Sequence, residues 1–506
     1  MPMTKRLVFS VVANTTRAII SFATGMIIAR NLGPESYGVF SFLLVSFTAL
    51  ISLFDMGSSS AFFSFISKRI RSKKFFMHYA YWLLFQFVLF VVIILIITPE
   101  KWLHIIWEGE GRQLILIAFI AVFFQHQIWG AIAQIGESQR LTTKVQMLGV
   151  LIAFIHFVFI ILLLWQDKLS IDLIYYLIIF EFIVATIVVR LTFALEFADE
   201  KTTFNRTLVE YWKFCKPLIP YAWVGVIMSF ADNWLLQHFG GAVEQAYYAV
   251  ASQVAGISLI FTSSVIRILW KEVAEANENN NQERIAYIYK KVNRILFILG
   301  ASITGFLLPW TKEIIIFLLG NEFVEGAFVM SLMMLYPIHQ SLGQINASMY
   351  YALELTLDYV LIGIVNMSIS IIAIYFMLAP VDATIPGLGL GSVGLGFKMV
   401  ISQFIGVNFL IWWLSRKQGW SFDFSYQLVG IGLFLLLGFV SYLAINMLIG
   451  DEIHVLIRGS AAGLFYFCST AVILYKIPWL IGMNNNEVTA YLNRCVNVIF
   501  NRGNIN

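Results

Sequence analysis

Charge is scarce in this chain. Only 12% of its 506 residues are Asp, Glu, Lys or Arg, about half the share that a soluble domain uses to cover itself with solvated groups. The deficit excludes an ordinary water-soluble globule, because the rest of the surface must face something apolar. Cysteine is scarcer still. Cys215, Cys468 and Cys495 stand at neither metal-ligand nor disulfide spacing, so no metal site or disulfide framework is expected. There is no G-x-x-x-x-G-K-[ST] run and no H-E-x-x-H pair, which excludes a P-loop nucleotide cradle and a zinc-hydrolase helix. No Ser-His-Asp constellation stands out. Net charge is +4 without a basic cluster that would suit nucleic acid. No cofactor is implied.

What the chain has in abundance is apolar length. Hydrophobic residues make up 59%, mean hydropathy is +0.81, and 45 Phe, 21 Tyr and 14 Trp suit a protein anchored at two membrane interfaces. Runs of spanning length recur at 7–29, 38–65, 77–98, 113–134, 145–165, 171–190, 213–237, 246–267, 290–309, 324–350, 359–379, 387–414, 427–449 and 455–475. Each must be helical, since lipid offers no partner to an unpaired backbone amide. The fold class expected is therefore an all-α polytopic membrane protein of about fourteen transmembrane helices. The run behind MPMTKR lacks a small-residue cleavage site and reads as a retained first helix. One set of alternate loops holds 25 of the 33 basic residues, which places both termini in the cytoplasm. In the tail, Val488, Leu492, Cys495, Val496 and Ile499 share a helical face, the pattern of an interfacial helix.

The chain also echoes itself. Residues 27–40 read IIARNLGPESYGVF and residues 235–248 read LLQHFGGAVEQAYY. Each pairs an apolar approach with a Gly-containing turn, a Glu and a Tyr opening the next helix. Six spans separate the copies, so both enter the membrane in the same direction, as a parallel repeat does. The domains expected are an N-lobe at 1–210 and a C-lobe at 211–415. Two further helices occupy 416–480, and a cytoplasmic tail occupies 481–506.

Polar residues inside spans are expensive and point to function or pairing. Ser10, Asn14, Arg17, Ser21 and Thr24 fall on one face of the first helix, and Thr48, Ser52, Asp55 and Ser59 on one face of the second. Helix seven has Gly225, Ser229 and Asp232, and helix eight has Ser252, Gly256, Ser263 and Arg267. Such stripes on the opening pair of each half suit the lining of a cavity. Interhelical pairing is the alternative, with Arg17 tied to Asp55. Tyr336, His339, Gln340, Gly343, Gln344 and Asn346 mark helix ten beside Pro337. Lys398 lies deep in helix twelve, and Arg458 near the end of helix fourteen, where snorkelling would account for it. Gly389, Gly391 and Gly394 lack a strand–helix setting and suit close helix packing.

The run ARNLGPESYGVFSF followed by FDMGSSSAF resembles the opening of the polysaccharide flippases (Wzx-type) in the multidrug, oligosaccharidyl-lipid and polysaccharide exporter superfamily. The matching residues are Arg30, Leu32, Gly33, Pro34, Glu35, Tyr37 and Gly38 in the first outer turn, and Asp55 and Gly57 after it. Asp232 and the GLGLGSVGLG run at 387–396 resemble later family features. The resemblance implies two pseudo-symmetric six-helix lobes plus two helices, a cationic central cavity and alternating access in the cell inner membrane. The implied substrate is an undecaprenyl-pyrophosphate-linked oligosaccharide repeat unit for O-antigen, capsule or exopolysaccharide. Arg17, Lys398, Arg30, Arg267, Asn14, His339 and Gln340 would bind it, with Asp55 and Asp232 in ion coupling or pairing. Partners would be that lipid-linked oligosaccharide, membrane lipid, a polysaccharide polymerase and a chain-length regulator, with no nucleic acid. The rivals are a cation-coupled multidrug antiporter and a polyprenyl-dependent glycosyltransferase or polymerase, which lacks the large outer loop such enzymes use.

The topology is testable with reporter fusions. Fusions after Lys74, Lys216, Asn281 and Lys417 should report cytoplasm, and those after Glu110, Gly241 and Glu322 periplasm. A periplasmic signal after Asn281 would break both the charge argument and the repeat.

Overall fold

The computed structural model describes residues 3–199, 201–257, 282–450 and 452–489. Among the described residues the secondary structure is helical throughout, with no strand. Among the described residues, ten helices are long and apolar enough to cross a membrane. One of them, Phe9–Asp55, has 47 residues, more than twice the roughly 20 that a span requires. With the two merged helices divided at Gly33 and Gly241, the long segments among the described residues are named as follows. They are α1 (3–32), α2 (34–55), α3 (Lys73–Val92), α4 (112–138), α5 (Thr142–Trp165), α6 (Ile171–Thr192), α7 (219–240) and α8 (242–257). The series continues with α9 (Gln282–Leu307), α10 (327–352), α11 (Thr356–Leu378), α12 (Gly391–Gln418), α13 (Ser425–Ile449) and α14 (Val455–Lys476). Short amphipathic helices at Phe204–Cys215 and Thr311–Leu319 were not legible as separate elements in the hydropathy pattern. The chain forms two compact units. The first holds Met1–Val250, Leu318–Phe323 and Met367–Leu395, and the second holds Ala251–Phe317, Val324–Asn366 and Gly396–Asn506.

The echo in the sequence has a structural counterpart within the first unit. Gly33 (φ 74°, ψ 170°) breaks α1 from α2, and Gly241 (φ 78°, ψ −178°) breaks α7 from α8. The two glycines occupy the same position in the paired segments, and both adopt a backbone geometry that L side chains avoid. The two turns also touch. A Cβ on Gly38 would come within 1.8 Å of the Ala242 carbonyl oxygen. Phe323 packs edge-on to Tyr37 and Tyr247, one ring from each copy, with centroids 6.5 and 6.1 Å away. Glu244 completes the cluster by accepting the Ser392 N–H at 2.6 Å in the first turn of α12. This first turn is crowded, since a Cβ on Gly391 would meet the Glu244 carboxylate at 2.7 Å.

The second expected span, 38–65, is corrected. The helix ends at Asp55, and after Met56 (φ 50°) and Gly57 (φ 80°) a separate helix runs from Ser58 to Lys68. In the second unit α10 is also split, into Ala327–Met333 and Tyr336–Ala352. Pro337 lies in the first turn after this break, where its missing N–H costs little. The Met334 carbonyl at the break accepts the Thr304 hydroxyl at 2.7 Å. Helices α9 and α13 meet through glycines, a Cβ on Gly438 falling 1.9 Å from the Gly305 carbonyl oxygen. Small residues let backbones approach where burial of oil against oil supplies no drive. Arg458 does not snorkel: it is 9% exposed and donates to Asn446 Oδ1 across α13–α14 at 3.0 Å. Arg267 and most of the expected tail helix lie outside the described residues.

Gly38→Ala should cost on the order of 1–3 kcal/mol, because a backbone carbonyl must move to admit one methyl. Gly432→Ala, with nothing within 4 Å of its Cβ, should be silent. Thermal unfolding of the two purified variants in detergent compares them, and equal melting would dismiss the close contact.

Candidate functional site

The site begins where α2 ends. Helix termini leave carbonyls without intrahelical partners, and inside a membrane no bulk water replaces them. Here the Leu53 carbonyl accepts the Trp223 indole N–H from α7 at 3.1 Å, and the Phe54 carbonyl accepts the Gln86 amide from α3 at 3.0 Å. The Asp55 carboxylate turns to the next helix. It accepts the Ser58 hydroxyl at 2.7 Å, the Ser59 hydroxyl at 2.9 Å and the Ser59 N–H at 3.1 Å. A negative group at the start of a helix faces its positive dipole end, so Asp55 caps Ser58–Lys68.

A cavity of about 720 Å³ opens against this turn, within the first unit. Thr48, Ser52, Asp55 and Ser59 line one side, Gly225 and Ser229 of α7 another, and His126, Gln127 and Gln134 of α4 a third. The α2 and α7 stripes thus converge on one space. The α4 contribution was missed in the sequence, although QHQ at 125–127 stands out within an apolar run. A π turn at Phe124–Ile128 carries it, and such insertions re-aim side chains that a regular helix would point elsewhere. The Gln134 side-chain oxygen is buried without a hydrogen-bond partner.

The other expected site residues are not gathered there. Arg17 is exposed on α1 and donates to Asn14 Oδ1 at 3.2 Å, and a Cβ on Gly149 of α5 would lie 3.5 Å from its guanidinium. The Arg17–Asp55 pair is not formed, since Asp55 is held by the two serines. Arg30 is exposed beside Gly320, and Asp232 is buried in α7. Lys398 belongs to the second unit and is 2% exposed. His339 is also in the second unit, enclosed by the Phe297 and Phe404 rings. It bonds Gln427 Oε1 at 3.1 Å, and Gln427 in turn exchanges hydrogen bonds with Asn408. Gln340 accepts from Gln403. Among the described residues, no group of three His, Cys, Asp or Glu is placed to hold a metal ion.

A family described as "Polysaccharide biosynthesis protein" matches residues 3–269, more than half of the chain. The chain belongs to this family. Its structure is similar over 93% of its length to 99% of a lipid II flippase, MurJ, in an inward closed conformation, at a TM-score of 0.70 and 14% identity. An inward-facing multidrug resistance MATE family transporter of the MOP superfamily has a TM-score of 0.59 at 16% identity, covering 79% of this chain and 95% of its own. A MOP superfamily transporter from Pyrococcus furiosus gives 0.53 at 14% identity, covering 81% and 94%. No curated protein matches the sequence significantly. This member of the polysaccharide biosynthesis family is thus a multi-pass membrane protein with the fold of flippases and transporters.

The Asp55 turn makes a stability prediction for this family member. Asp55→Ala removes the acceptor for two hydroxyls and a backbone N–H and should cost on the order of 1–3 kcal/mol. Asp55→Asn keeps an acceptor oxygen and should cost less. If Asp55→Ala unfolds at the wild-type temperature, the carboxylate does not hold the turn.

Proposed function

We propose that this chain is a flippase. It carries an undecaprenyl-pyrophosphate-linked oligosaccharide repeat unit from the cytoplasmic to the periplasmic leaflet of the inner membrane, by alternating access and without catalysis. The product would feed O-antigen, capsule or exopolysaccharide synthesis. The observation that supports this reading best is the extent of the fold match. The flippase fold accounts for 93% of the chain and the MATE fold for 79%, and the family itself is one of polysaccharide biosynthesis. Arg17, with Asn14 as its neighbour, is the proposed attraction for the pyrophosphate, joined by Lys398. Arg30 and Arg267 would act near the two gates. His339 and Gln340 would contribute to the second lobe's share of the substrate site, within the lobes 1–210 and 211–415. Asp55, on the cavity wall, and Asp232 are the proposed points of ion coupling. One elementary charge moved through the membrane potential gains about 2.3 kcal/mol per 100 mV, enough to bias a two-state equilibrium. A polymerase and a chain-length regulator would act on what the flippase delivers.

A deletion strain should accumulate complete lipid-linked repeat units on the cytoplasmic leaflet. Truncated units would point to a transferase, and complete units already on the periplasmic leaflet to a polymerase. In the same strain Arg17→Lys should restore part of the surface polysaccharide and Arg17→Gln little of it. Normal polysaccharide from Arg17→Gln would remove Arg17 from the site.

A further inference from the structure

Within the second unit, the start of α9, the end of α12 and the start of α13 meet at one membrane face. A cavity of about 250 Å³ opens between them. Its charged lining is Lys290, Arg294 and Asp423, and its polar lining includes Asn293, Ser415 and Ser421. Just past the end of α12 the Trp420 N–H returns to the Ser415 carbonyl at 2.8 Å. This turn carries Trp420, Ser421 and Phe422 onto the cavity wall, and the Trp420 and Tyr289 rings lie 5.3 Å apart.

Arg294 is a strut of this wall. It pairs with Asp423 and donates to the Trp479 carbonyl at 2.5 Å. Its guanidinium carbon also lies 4.9 and 5.1 Å from the Tyr426 and Trp479 ring centroids. Burial works against charge on Asp423, but the Ser425 hydroxyl and N–H, then Arg294 and Lys290, outweigh it and hold the carboxyl below its ordinary value. With Arg294 and Asp423 cancelling, the exposed Lys290 leaves the lining with positive charge in excess. Asn293 is 4% exposed on the same wall. Its amide nitrogen donates to the Tyr289 carbonyl at 2.9 Å, which fixes how the amide is turned. Its Oδ1 is buried with no hydrogen-bond partner among the described residues. A buried acceptor left in this way is costly, and a hydroxyl brought to it recovers the loss.

We infer that this cavity holds the head group of an anionic membrane phospholipid, with its phosphodiester against Lys290 and a head-group hydroxyl toward Asn293. Basic pockets between transmembrane helices are where such head groups are held. A singly charged phosphodiester balances the excess charge, whereas a zwitterionic head does not. A glycerol head, as in phosphatidylglycerol, brings the hydroxyl. The exposed Phe422 on the lining and the exposed Trp479 beside Arg294 give the acyl chains an apolar path out of the cavity. A lipid held here bridges the ends of three helices and is not itself carried. Soluble glycerol phosphate shares the head-group chemistry but has no chains to lay on those rings.

The test is native mass spectrometry of the full-length protein, stripped of lipid in detergent and then given one defined compound at a time. Phosphatidylglycerol should be retained at levels where phosphatidylethanolamine and glycerol phosphate are lost. Lys290→Gln should weaken that retention about fivefold, the size of one basic contact near a membrane surface. Lys417→Gln is the control, because Lys417 is also exposed and basic but pairs with Asp358 outside the cavity. It should retain lipid as the wild type does. Asn293→Leu should narrow the preference for phosphatidylglycerol over phosphatidylmethanol, which has the same charge and no head-group hydroxyl. Equal retention of phosphatidylethanolamine would overturn the inference. So would displacement of the lipid by glycerol phosphate at equal concentration, or the same retention in Lys290→Gln and Lys417→Gln.

Discussion

The structure depends on one constraint: a backbone carbonyl freed inside a bilayer must find a donor in the protein. At two of the breaks among the described residues the donors come from other helices. The Leu53 and Phe54 carbonyls draw in Trp223 and Gln86, and the Met334 carbonyl draws in Thr304. The breaks provide the irregular, polar surface that an uninterrupted bundle would lack. The cavity beside Asp55 lies against such a break, with a π turn opposite. Function and folding requirements meet there, since the same carboxylate holds the turn and faces the space.

Much of this was legible from hydropathy. The apolar runs correspond to long helical segments among the described residues, because span length is a property of the membrane and not of the fold. Boundaries failed where tertiary partners decide them. Residues 38–65 are apolar throughout, and nothing in their composition says that Trp223 and Gln86 will make a break after Asp55 affordable. The amphipathic helix Phe204–Cys215 was hidden for a related reason. Its value lies in a sided pattern, and a count of loop charges registers only Arg206 and Lys213.

The candidate site was legible in part. Period-3.6 stripes on α2 and α7 are read directly from spacing, and Thr48, Ser52, Asp55, Gly225 and Ser229 do face one cavity. The α4 residues escaped although Gln127, Gly130, Ala131 and Gln134 share one helical face, because two amides within an apolar run carry no charge to draw notice. The hydrogen-bond partners of polar residues within spans were not legible. Sequence shows that a polar residue is out of place in a span, but not whether a neighbour already satisfies it. For His339 the neighbour is Gln427, 88 positions away.

The shared geometry of Gly33 and Gly241 bears on how two segments of one chain come to take the same turn. Aligned side chains in the two copies have diverged almost completely: Pro34 faces Ala242 in the alignment, Tyr37 faces Gln245, and Gly38 faces Ala246. What persists is the residue with no side chain, because its conformation leaves little else to choose from. The likeness of the two segments is thus carried by torsion angles more than by letters.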